Sequence, residues 1–144
     1  MQDDQADRRL CQAGVAFAVG SAVHVADHLR RGQGSITDVL YVLGNVALVP
    51  QVVVITLILT RHRLAPMAAA VVGVPLAVGF AAAHWLPHWS ALSDPVWKIH
   101  PDTWFSYLAS TSEIVGALAI AVTGVAVLRS PRVGPASPAA ARHA

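Results

Sequence analysis

The sequence predicts an all-α integral membrane bundle of four transmembrane helices with both termini cytoplasmic. Three observations predict it. The chain of 144 residues is 55% apolar and only 12% charged, whereas an average soluble domain is about a quarter charged. Its apolar residues fall into four blocks, each close to the ~20 residues a helix needs to cross a bilayer. Its Lys and Arg residues gather at alternate ends of those blocks, the pattern of a topology signal.

The blocks cover residues 9–29, 39–60, 64–86 and 108–128. They use nearly the whole chain, so residues 1–129 are expected to form one four-helix membrane domain. The first block begins with Arg8 and Arg9 but ends in His24, Asp27 and His28. A cleaved leader would end in a small-x-small site, so this block reads as a retained span. The second starts after Asp38 and carries Asn45 and Pro50. The third has small residues at Ala69, Gly73, Ala77 and Ala81, a spacing that lets membrane helices approach closely. The fourth carries Glu113 among small residues. Residues 130–144, rich in Pro and Ala, read as a disordered cytoplasmic tail. The one cysteine, Cys11, permits no intrachain disulfide.

Orientation follows from charge. The side holding both termini and the second connection carries seven Arg (Arg8, Arg9, Arg61, Arg63, Arg129, Arg132 and Arg142). The other side carries three cations, Arg30, Arg31 and Lys98. Basic residues favour the cytoplasmic side, which makes this a multi-pass protein of the cell membrane. These cations flank apolar runs, so no nucleic acid partner is expected, and the partner is the lipid bilayer.

This assignment collects the ionisable groups on the outer side. "HVADH", residues 24–28, places His24, Asp27 and His28 at i, i+3 and i+4, on one helical face. "HWLPH", residues 84–88, adds His84 and His88, although Pro87 threatens the helix between them. His24 lies ~6 Å deeper than His28, and His84 ~6 Å deeper than His88. Glu113 falls ~6 Å inside the outer end of the fourth block. His24, His84 and Glu113 therefore share one level, and ionisable groups at such depth face the bundle interior. All four Trp (Trp85, Trp89, Trp97 and Trp104) are on the same side, as an interfacial belt requires. The connection at residues 88–104 reads as a lid. Asp94 and Asp102 fit turn and cap roles there, Thr103 can also cap the fourth helix, and Ser106 reads as another capping residue.

Imidazole and carboxylate ligate divalent transition metals, here zinc or iron. His24, Asp27, His28, His84, His88 and Glu113 are the candidate metal ligands. Glu113 and His84 are the candidate acid and base of a membrane enzyme on a lipid-like or small-molecule substrate. A bis-His haem is the weaker cofactor reading, because it needs neither Asp27 nor Glu113. Intramembrane His and acids also serve proton- or metal-linked transporters. Four short helices enclose little pathway, so a transporter or channel-like subunit would be a homo-oligomer. A third reading is an accessory subunit whose ion pairs only join helices. There is no H-E-x-x-H, nucleophile elbow or phosphate loop.

The charge asymmetry predicts that a reporter fused after Ala144 is active only when it works in the cytoplasm. Activity of a periplasm-dependent reporter at that position would reverse the topology.

Overall fold

A computed structural model of the protein describes residues 2–100 and 103–130. Helix α1 spans Gln2–Arg31, α2 Asp38–Leu59, α3 Ala65–Trp85 and α4 Thr103–Arg129, with 3-10 turns at Gln33–Ser35 and Val96–Lys98. All four α-helices are long and apolar enough to cross a membrane. The expected tail lies almost wholly outside the described residues, as does Asp102.

Two helix starts differ from the apolar blocks. α1 begins at Gln2 because its polar first turns continue the helix beyond the apolar stretch, which counts only residues suited to lipid. α4 begins at Thr103, ahead of residue 108, through an aromatic turn containing Trp104, Phe105 and Tyr107. Ser106 is therefore inside the helix and buried, where a cap was expected. The start of α2 has a local cause. The Thr37 hydroxyl accepts from the Leu40 N–H at 3.1 Å, and Asp38 in the first turn complements the helix dipole. α3 stops at Trp85 because Leu86 precedes Pro87 and is extended, with φ −97° and ψ 155°. A residue before proline is pushed out of the helical region in this way.

Helix α4 lies against both α1 and α3, and these three helices form the tight part of the bundle. Its buried stripe includes Ala109, Gly116, Ala117, Ile120, Ala121 and Gly124. Facing it are Leu10, Ala13 and Phe17 of α1 and Ala65, Ala69 and Ala77 of α3. Glycine permits the approach. A Cβ on Gly116 would lie 2.7 Å from Cα of Phe17, and one on Gly73 would lie 2.6 Å from the Ala117 carbonyl oxygen. Helices this close gain dispersion and leave little volume to fill.

Helix α2 is held differently. Its buried residues are Gln51, Val54 and Ile58, all in its second half. The Gln51 carbonyl accepts from the Ser21 hydroxyl at 2.9 Å, which ties it to α1. Towards its start, Val39, Val42, Leu43 and Val46 are exposed. Here α2 stands away from α1 and α3 and leaves a cavity of ≈ 570 Å³. The long connection closes over this end of the bundle. The Asp94 N–H donates to the Ala83 carbonyl at 2.8 Å, and Val96 and Ile99 of the connection are buried.

Two glycines test this picture. Gly116→Ala forces a shift of backbone and should cost roughly 1–3 kcal/mol. Gly79→Ala meets nothing within 4 Å and should be neutral or stabilising by up to about 1 kcal/mol through helix propensity. Melting temperatures in detergent should separate the two variants. Equal melting would contradict the close α1–α4 contact.

Candidate metal centre

The last turns of α1 place His24, Asp27 and His28 on one face, but Asp27 and the two histidines have different neighbours. Arg30 donates to Asp27 Oδ1 at 2.8 Å, and Arg31 Nε lies 3.1 Å from Asp27 Oδ2. Arg31 also reaches across to Asp94, with Nη2 to Oδ2 at 2.7 Å and Nη1 to Oδ1 at 3.3 Å. Asp27, Arg31 and Asp94 thus form a buried network joining α1 to the long connection. Asp94, which reads in sequence as a turn residue, is buried and carries the ion pair that fastens the lid. Asp27 is spent on the arginines and is not among the converging histidines.

The histidines converge instead with α3. His24 and His28 bring their Nε2 atoms within 2.8 Å. The ring centroids of His24 and His84 are 4.8 Å apart, and those of His28 and His84 are 5.9 Å apart. One ligand nitrogen from each of the three can be chosen so that all lie within 4.8 Å of one another. His24 and His84 are buried, and His28 is partly so. Three imidazoles this close could hold a metal ion. Around a tetrahedral zinc, nitrogens at bond length sit ~3.3 Å apart, so a small inward movement would suffice.

Each imidazole also has its Nδ1 beside another group. His84 Nδ1 is 3.0 Å from the Asp94 carbonyl oxygen. A carbonyl only accepts, so Nδ1 of neutral His84 carries the proton and Nε2 keeps its lone pair. His28 Nδ1 is 3.0 Å from Arg31 Nη2. Arginine only donates, which puts the proton of neutral His28 on Nε2, aimed at His24. His24 Nδ1 lies 2.7 Å from Glu113 Oε2. That approach is close but off the N–H axis, and neither atom has a partner of good hydrogen-bond geometry. Glu113 is 2% exposed.

His24, Glu113 and His84, expected at one level, are together here. Glu113 contacts His24, and no ion pair joins it to His84 among the described residues. His88 is not brought to the cluster. Pro87 ends the helical geometry that would have stacked it on His84, and His88 is exposed. Ser110 accepts from Trp85 Nε1 at 3.3 Å and donates to the Tyr107 carbonyl. Ser112 donates to the Ala109 carbonyl. These hydroxyls serve the helix.

Sequence reasoning missed Asp94 and Gln51 as members of the buried polar set. The signal for Gln51 was its position mid-way along an otherwise apolar block, where an amide needs a partner. The three histidines and Glu113 line the cavity beside α2. Comparison with protein-family models, curated proteins and solved structures finds no match for this chain.

Proposed function

We propose that this is a multi-pass cell-membrane protein, with cytoplasmic termini, that binds one divalent transition-metal ion through His24, His28 and His84. The observation that carries the reading is the convergence of three imidazole nitrogens within 4.8 Å at the wall of a cavity. Glu113 is the outer partner of His24. A carboxylate or carbonyl on the far nitrogen orients a ligating imidazole and raises its basicity, and the Asp94 carbonyl does the same for His84. The proton of neutral His28 must shift from Nε2 to Nδ1, displacing Arg31 Nη2, before Nε2 can ligate, so metal competes with the 2.8 Å contact between the two rings.

Charge supports the reading. Asp27 and Asp94 are answered by Arg30 and Arg31, while among the described residues the ion-pair partner of Glu113 is His24. A cation at the histidines would offset that buried carboxylate. Imidazole is a ligand for both zinc and iron. A haem would need a flat macrocycle against its axial rings, and the rings of His84 and Phe80 already pack against His24, at 4.8 and 5.4 Å. Three protein ligands with an open position facing a cavity is the arrangement of a catalytic ion, which polarises an oxygen-bearing group. Within such an enzyme, His84 is a ligand and Glu113 a positioning residue.

A second reading has its own observation. His28, His24 and Glu113 form a continuous line of contacts at 2.8 and 2.7 Å. Such a line suits a proton-linked transporter, in which Glu113 takes up a proton through the rings.

The metal reading predicts about one zinc or iron per chain in the purified protein. Glu113→Gln should weaken binding roughly 10–100-fold, and His24→Ala or His84→Ala at least as much, without loss of membrane insertion. Chelator should lower the melting temperature of the wild type and leave that of His84→Ala unchanged. A metal-free protein whose melting ignores chelator, with Glu113→Gln abolishing proton uptake, would replace the metal reading with the proton one.

A further inference from the structure

We infer that the cavity beside the histidines is a chamber for one single-chain amphiphile. Its oxygen-bearing head lies at His24, His28 and His84, and its chain runs along α2. The placement of the head rests on the metal reading above. The placement of the chain rests on the shape and walls of the cavity.

The cavity has a cluster of ionisable groups on one wall and mostly apolar surface elsewhere. Leu40 and Leu48 of α2, Leu76 and Phe80 of α3 and Leu92 of the long connection supply much of the apolar part. The two amides of α2 each make one hydrogen bond, Asn45 Nδ2 to the Tyr41 carbonyl and Gln51 Oε1 from the Ser21 hydroxyl. The histidines and Glu113 are the ionisable cluster in the lining, and His24, His84 and Glu113 are buried there. A volume of ≈ 570 Å³ falls within the range of small-molecule sites, about 300–1,000 Å³.

Its mouth points to the way in. Leu43 and Gly44 of α2 and Pro75 and Gly79 of α3 line the cavity and are exposed. They lie within the apolar spans, where the neighbour would be acyl chains. The loop end is bridged by Thr37, whose hydroxyl donates to the Ala91 carbonyl, and by the Arg31–Asp94 pair. Access through the side therefore favours a ligand already dissolved in the bilayer over one arriving from water.

The glycines give an independent sign. At Gly73, Gly116 and Gly124 an added Cβ would fall within 3 Å of a backbone atom, so these glycines serve packing. At Gly44 and Gly79 a Cβ would meet nothing within 4 Å. These two face the chamber and keep it open. Glycine in a helix interior is otherwise unfavourable by about 1 kcal/mol relative to alanine.

The test uses the zinc-loaded full chain in detergent with cis-parinaric acid as a fluorescent single-chain probe. Its methyl ester lacks the carboxylate, and acetate supplies the head without the chain. The acid should bind saturably at one per chain, the ester roughly tenfold more weakly, and acetate should not compete at matched concentration. Gly44→Leu and Gly79→Leu, on different helices and facing open space, should keep full zinc and melt no lower than the wild type. Each should lose roughly tenfold or more in probe affinity, because the added side chain overpacks the filled chamber. Unchanged probe affinity in both variants, or acetate competing as well as the acid, would overturn the chamber. Full zinc with no saturable probe binding would overturn it too, and leave the metal reading standing. Saturable binding that Gly79→Leu removes, in a protein that takes up no zinc, would keep the chamber and discard the metal at its head.

Discussion

A carboxylate inside an apolar bundle needs a compensating positive charge or proton, and among the described residues the ion-pair partner of Glu113 is the His24 imidazole. Much of this end of the molecule follows from that contact. Isolated buried charge costs several kcal/mol even after relaxation, so His24 cannot be replaced without consequence for Glu113. His24 in turn touches His28 and lies beside His84, linking α4 to α1 and α3 at one level. Arg30 and Arg31 do not relieve Glu113, because Asp27 and Asp94 hold them. The imidazole cluster is left as the place where further positive charge is favourable, whether it comes as a proton or as a metal ion.

The rest of the fold keeps that place fixed on one side and open on the other. Glycine and alanine contacts bring α1, α4 and α3 close, which sets the three-helix wall bearing the histidines. α2 is tied through the Ser21–Gln51 hydrogen bond and the packing of Val54 and Ile58, and it stands away where it passes the histidines. Rigid support for the histidines and free volume beside them come from this division. The lid is fastened through Arg31, which touches Asp27, Asp94 and His28. Metal entry, lid position and the protonation of His28 would therefore be linked through one guanidinium.

Much of this was legible in the residues. Length and hydropathy located four spans because lipid thickness imposes a minimum apolar run. The i, i+3, i+4 spacing in "HVADH" put His24, Asp27 and His28 on one face, and counting helical rise put His24, His84 and Glu113 at one depth. What spacing could not weigh was competition among partners. Asp27 shares the face of the histidines, yet Arg30 and Arg31 are three and four residues further on and capture it. His88 is four residues from His84, yet Pro87 ends the helix that would align them. Asp94 is 63 residues from Arg31, and its turn-like "SDP" context gives no hint of a long-range ion pair. The gap beside α2 was also invisible, since two apolar helices look alike in sequence whether they touch or stand apart. Gly44 and Gly79 read as ordinary helix glycines until the space around them is known.

The central claim is that three imidazoles share one ion, and X-ray absorption at the zinc edge of the loaded protein tests it most directly. An ion held by the three histidines gives three nitrogen scatterers at about 2.0–2.1 Å with the outer-shell pattern of imidazole rings, plus one oxygen donor in the open position. Loss of one imidazole from that pattern in His28→Ala would accord with it. A shell of oxygens alone, or a spectrum that His24→Ala, His28→Ala and His84→Ala leave unaltered, would place the ion elsewhere and contradict the account.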